Sequence, residues 1–171
     1  MGQSRDQRPD TETQRTNWPL AYFITFRTYG TWLHGDDRGA IDRKHNRPGD
    51  PIVQHVPSLL ARREASLRQE PLILTVQQRA CADQAMLEAC RIRGWTIHAL
   101  NVRTNHVHIV VTGQVEPGRV LGDLKRWSTR GLRESELVNA DRLVWAEDGS
   151  KQWLWDAKAV ADAIEYTMNG Q

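Results

Sequence analysis

The sequence predicts an α+β domain: a ferredoxin-like split β-α-β-β-α-β antiparallel sheet followed by one additional C-terminal helix. Three observations lead there. Runs rich in aromatic and β-branched residues, each of strand length, stand at 21–28, 95–102, 106–112 and 151–155. Two segments with helical start signals fall between them in the order that topology requires. Only Arg103-Thr104-Asn105 separates the second run from the third, which makes that pair an antiparallel hairpin.

The chain has 171 residues, enough for one domain with a core plus an arm or insertion. Its apolar fraction of 39% is that of a soluble globular protein, and no run of about 18 apolar residues is long enough to span a membrane. Residues 1–16 carry three bases and three acids without a periodic apolar residue, and read as a disordered arm. That arm has no apolar centre of the kind a secretory signal needs, so a cytoplasmic location is expected. Cys81 and Cys90, about 13.5 Å apart along one helix, are too distant for a disulfide and lack zinc-ligand spacing.

The first strand, Ala21 to Thr28, leads through Tyr29-Gly30-Thr31-Trp32-Leu33-His34-Gly35-Asp36, a loop shaped by two glycines. Trp32 there either stacks on a base or packs into the fold. From residue 37 to 71 the periodicity fails in a polar, proline-containing insertion, functional or disordered.

Thr75-x-x-Gln78 is a capping box and Gly94 a left-handed stop, which bound the first helix; Val76, Ala80, Leu87 and Cys90 are its expected buried stripe. In the third strand Val107, Ile109 and Val111 take the core face, and His106 and His108 share the opposite one. Two imidazoles side by side on a strand point to a divalent metal, although His-x-His also arises by chance.

Pro117 suits the first turn of the second helix, which runs to about Glu134. Val120, Leu124, Trp127 and Gly131 form its apolar stripe, and Arg119, Arg126, Arg130 and Arg133 a basic one. The net charge is only +2, but it is segregated: residues 119–133 hold five bases (Lys125 is the fifth) against Asp123 alone, whereas 136–165 hold seven acids and three bases. Such a strip tracks phosphates or is simply a solvated face.

Glu147-Asp148-Gly149-Ser150 reads as a turn before a fourth strand, Lys151 to Trp155, on which Trp153 and Trp155 share a face. Asp156 caps the last helix, with Ala157, Val160, Ala161, Ile164 and Met168 as its expected buried stripe and Gly170 at its end. Tyr166 falls on the other side of that wheel. An outward tyrosine, an outward histidine pair and a basic helix together supply a nucleophile, a metal site and a phosphate surface.

Asn105-His106-Val107-His108-Ile109-Val110-Val111 resembles the His-hydrophobic-His motif of the HUH single-tyrosine transposases, in particular the REP-associated tyrosine transposases. Tyr29-Gly30-Thr31-Trp32-Leu33, Trp153-Leu154-Trp155 and Tyr166-x-x-x-Gly170-Gln171 resemble the same group, so the likeness covers residues 17–171. The resemblance implies a metal-dependent endonuclease and strand transferase that acts on single-stranded DNA, at hairpins formed by palindromic repeats. Tyr166 would be the nucleophile, leaving a 5′-phosphotyrosine link and a free 3′-hydroxyl. His106 and His108 would hold Mg²⁺ or Mn²⁺; imidazole suits Mn²⁺ better.

A third ligand from the last helix is implied too. Insertion-sequence relatives carry a glutamine four residues after the tyrosine; here that position is Gly170, with Gln171 the expected ligand and Asn169 the alternative. Arg119, Lys125, Arg126, Arg130 and Arg133 would contact the DNA. A nucleoid-associated prokaryotic protein, monomeric or homodimeric, is the expected setting. Two other classes compete: a ferredoxin-like DNA-binding module that has lost cleavage, and a metal-dependent phosphoesterase unrelated to DNA.

Overall fold

The computed structural model describes residues 18–31 and 67–170. The expected arm at 1–16, most of the 37–71 insertion, Trp32 and Gln171 lie outside the described residues. The elements run β1 (Ala21–Thr28), α1 (Val76–Arg93), β2 (Thr96–Val102), β3 (His106–Thr112), α2 (Pro117–Glu134), β4 (Trp145–Leu154) and α3 (Ala157–Asn169). The four strands form one antiparallel sheet in the order β2-β3-β1-β4. This is the expected split arrangement, with α3 as the extra element.

Strand alternation divides the sheet into two faces with different partners. Tyr22, Ile24 and Phe26 of β1 with Val107, Ile109 and Val111 of β3 meet Met86 and Cys90 of α1 and Val120, Leu124 and Leu132 of α2 in the main core. The opposite face holds a smaller cluster, Ala21, Ala99, Val110 and Leu154, covered by Ala163, Ala159, Val160 and Ile164 of α3. β3 is therefore buried on both sides. The histidine face turns away from the main core as expected, but it meets α3 rather than water.

The caps of α1 form as expected. Thr75 Oγ1 accepts the Gln78 N–H, the Gln78 side chain accepts the Thr75 N–H, and Gly94 takes the left-handed conformation at φ 69°. Its expected buried stripe holds at Cys90 alone. Val76, Ala80 and Leu87 are exposed, and Ala82, Met86 and Ala89 join Cys90 as the buried positions. The reason is the approach of α2: a Cβ on Gly131 would lie 3.1 Å from Ala85 Cβ and 3.7 Å from Cys81 Sγ. Two helices this close select the small-residue face of α1 over its Val and Leu face. Along α2, Val120 and Leu124 are buried as expected, joined by Leu121, Ser128 and Leu132, while Trp127 and Gly131 are half-buried.

The expected turn at Glu147–Ser150 is part of β4. Phe26 pairs with Gly149 and Thr28 with Trp145, so Ala146, Glu147 and Asp148 stand opposite Arg27 alone. This is a bulge, at which the ladder is locally interrupted. The Lys125 ammonium donates to the carbonyls of Ala146, Glu147 and Asp148 at 2.7, 3.1 and 3.1 Å. Gly149 lets the strands close up beside the bulge, since a Cβ there would lie 2.8 Å from the Thr25 carbonyl oxygen.

Candidate active site

The face of the sheet under α3 changes character along its length. At the N-terminal half of the helix the contact is apolar, through Ala159, Val160, Ala163 and Ile164. Further along, the β-ladder sets Asn101, His108, Thr25 and Ser150 in one row across all four strands, since each is the ladder partner of the next. His106 and Arg27 pair in the following row. The apolar half docks the helix, and its last turns lie over polar residues.

His106 and His108 are 6% and 4% exposed, with ring centroids 4.7 Å apart. Their faces are set by strand period and their ring rotations by hydrogen bonds at Nδ1. His106 Nδ1 lies 2.8 Å from Asn105 Oδ1, and His108 Nδ1 lies 2.8 Å from Thr25 Oγ1. An amide oxygen only accepts, so the Asn105 contact selects the His106 tautomer protonated at Nδ1, with its lone pair at Nε2. The Thr25 hydroxyl is able to do the same for His108. Phe23 stacks on the His108 ring at 5.6 Å and 17°.

Tyr166 reaches this pair. Its ring packs edge-on against His108 at 5.5 Å and against Phe23 at 5.9 Å, while the residue stays 46% exposed. The residue is the expected one, but the expected wheel was rotated. Met168, Ala157 and Ala161 of the predicted stripe are exposed, and Ala163 and Thr167 are the buried positions. α3 is thus turned by about a quarter of a circle at ~100° per residue, which brings Tyr166 to the border of the contact face. Small residues win because α3 lies close on the sheet. Asn101 Nδ2 donates to the Thr167 carbonyl at 2.8 Å and ties the last turn to β2. At Gly170 a Cβ would lie 2.7 Å from Tyr166 Cδ2, so Gly170 lies directly against the tyrosine ring.

No protein-family model and no curated protein matches the sequence. Among solved structures, a REP-associated tyrosine transposase bound to a REP hairpin superposes with a TM-score of 0.50 at 13% identity, over 86% of this chain. This chain has the fold of that transposase. It spans 63% of that structure's length. A candidate transposase from Deinococcus radiodurans R1 gives a TM-score of 0.48 at 13% identity, covering 99% of this chain and 97% of that one.

Within this transposase fold, the site residues expected from sequence divide into two groups. His106, His108 and Tyr166 come together. Asn169, the alternative third ligand, is exposed near the end of the same helix, and Gln171 lies outside the described residues. Among the described residues no group of three His, Cys, Asp or Glu is placed to hold a metal. Two buried imidazoles fixed at Nδ1 fit an ion that takes nitrogen ligands and leaves positions open.

The basic residues form the second group, on α2 and so on the other side of the sheet. Arg126, Arg130 and Arg133 line a groove of about 510 Å³ between α2 and residues 142–146, together with Arg142, which the sequence did not single out. Arg119 is exposed near the start of α2. Two of these cations are already paired: Arg126 with buried Asp123 at 2.7 Å, and Arg130 with Glu134 at 2.7 Å. Lys125 is turned inward onto the β4 bulge, and burial holds its ammonium down to about 8. The sheet therefore stands between the arginine groove and the tyrosine.

Sequence reasoning missed Thr25, Phe23 and Asn101. Period two along β1 was the available signal for the first two, because it puts Phe23, Thr25 and Arg27 on one face. The ladder partners that bring them to the histidines are set by the register.

Proposed function

We propose that this protein is a metal-dependent endonuclease and strand transferase for single-stranded DNA that cuts through a tyrosine–DNA intermediate. The observation that carries the reading is the edge-on contact of Tyr166 with His108, beside a histidine pair whose Nδ1 atoms are both engaged by side chains. A nucleophile and two preset nitrogen donors on one face match the needs of phosphodiester transesterification.

His106 and His108 would hold Mn²⁺ or Mg²⁺ through Nε2, with Gln171 or Asn169 as a third protein donor. When bound, the ion supplies Lewis-acid polarisation of a phosphate oxygen. Tyr166 forms the new P–O bond, the P–O3′ bond breaks, and the phenolic proton passes through solvent to the departing 3′-oxygen. The phosphotyrosine bond keeps the phosphodiester's energy, so an incoming 3′-hydroxyl reverses the step and releases the tyrosine. Half exposure of Tyr166 suits a residue that must carry a DNA strand. The hairpin bound by the transposase of like fold supports hairpin DNA as substrate, and the arginine groove on α2 gives the stem phosphates a surface.

The test is incubation of the full chain with single-stranded hairpin oligonucleotides and Mn²⁺, followed by a denaturing gel. A protein band shifted by covalent DNA is expected. A second reading, a DNA-binding module without cleavage, draws on the absence of a third His, Cys, Asp or Glu beside the pair among the described residues. It predicts salt-sensitive hairpin binding and no covalent product.

A further inference from the structure

β1 presents three half-buried residues to the α3 face, each two apart from the next: Phe23, Thr25 and Arg27. Phe23 stacks on His108, and Thr25 hydrogen-bonds to it. Arg27 is the direct ladder partner of His106 in the antiparallel β1–β3 pair. Residues so paired share a face, with Cβ atoms roughly 4.5–5.5 Å apart. The third residue of the series is therefore the ladder partner of His106, as Thr25 is of His108.

Charge singles it out. β2 and β3 contain no lysine or arginine, and the one such residue of β4, Lys151, pairs with Ile24 on the other face. Arg27 is thus the one permanent cation within the described strands on the face shared by His106, His108 and Tyr166; Arg103, which closes the β2–β3 hairpin with its N–H on the His106 carbonyl at 2.8 Å, borders that histidine from the turn. The arginines of α2 lie beyond the sheet and do not serve this face. Attack on a phosphodiester gathers negative charge on the non-bridging oxygens, and a planar guanidinium binds two such oxygens at once.

We propose that Arg27 contacts the scissile phosphate, holding its non-bridging oxygens beside the histidine pair and stabilising the charge that develops there. This rests on the phosphotyrosine reading given above. Arg27 takes no part in bond making; it positions and neutralises the phosphate while Tyr166 attacks.

The experiment compares wild type, Arg27→Gln, Arg27→Lys and Tyr166→Phe as full chains under single-turnover conditions with a hairpin oligonucleotide. Adduct formation is timed, Mn²⁺ affinity is titrated without DNA, and thermal melting is recorded. Arg27→Gln should slow adduct formation by about 10²–10³-fold, the usual effect of losing one preorganised donor to a developing oxyanion. Its Mn²⁺ affinity and melting should stay at wild-type values. Arg27→Lys should fall between the two, keeping the charge but losing the two-pronged geometry.

Replacing one non-bridging oxygen at the mapped scissile linkage with a methyl group removes the charge Arg27 answers to. The gap between wild type and Arg27→Gln should then shrink to within about tenfold, since a neutral linkage leaves little charge to stabilise. Wild-type rates in Arg27→Gln, with Tyr166→Phe inactive, would overturn the role of Arg27 and leave the reading of the site standing. Equal loss of rate and of Mn²⁺ affinity or melting temperature would make Arg27 structural. Absence of any adduct with wild type would overturn the reading and this proposal together.

Discussion

Replacing Thr25 with valine should loosen His108 without altering the shape of β1. Valine keeps the branched outline that a strand favours and removes only the hydroxyl that stands 2.8 Å from His108 Nδ1. His108 is 4% exposed, so water cannot readily replace that partner. A buried donor left unmet costs about 1–3 kcal/mol, and that is the expected loss of unfolding free energy in the absence of metal. The effect on metal is separate. Removing the group that orients a ligating imidazole typically lowers affinity by about 10–100-fold. Urea denaturation without metal and Mn²⁺ titration of the folded protein measure the two effects independently. Retained stability together with Mn²⁺ affinity within about twofold of wild type would refute the claim that Thr25 sets the His108 ring.

Other predictions follow from the same geometry. Gly149→Ala should destabilise by about 1–3 kcal/mol, because its Cβ meets the Thr25 carbonyl oxygen at 2.8 Å and β1 must shift; an unchanged denaturation midpoint would argue against this strand register. Arg126→Gln with Arg130→Gln should weaken hairpin binding and reduce the slope of log affinity against log salt by about 1.4–1.8, as for two lost phosphate contacts. Because Arg126 and Arg130 already pair with Asp123 and Glu134, a full reduction requires DNA to displace those carboxylates. An unchanged slope would place the DNA away from the α2 groove.

Much of this architecture is legible from local rules, because those elements are specified locally. Thr75, Gln78 and Gly94 bound α1 through their own hydrogen bonds and backbone angle, whatever packs around the helix. The pairing of His106 and His108 on one face follows from the strand period alone. What local pattern misassigns is which face of a helix is buried when a neighbour comes close. On α1 Val76 and Leu87 are exposed while Ala82, Met86 and Ala89 are buried, and on α3 Met168 is exposed while Ala163 is buried, because the neighbouring elements approach each helix on its alanine-bearing side.

The β4 bulge was hidden for a related reason. Glu147-Asp148-Gly149 has turn chemistry, and the distant Lys125 ammonium, bound to three carbonyls there, helps hold the segment in the sheet. The helical wheel that set Tyr166 apart is off by about a quarter turn at ~100° per residue. The error placed it away from the sheet, and the true rotation sets it against His108.

Peptide mapping of the trapped complex shows whether Tyr166 becomes joined to DNA. After reaction with a hairpin oligonucleotide and Mn²⁺, nuclease trimming and tryptic digestion, the peptide from Ala159 to Gln171 should carry a nucleotide phosphate on Tyr166. Tyr166→Phe keeps the ring packed edge-on against Phe23 and His108 and should give no adduct. A nucleotide found on another residue, or the same adduct yield from Tyr166→Phe, would contradict the account.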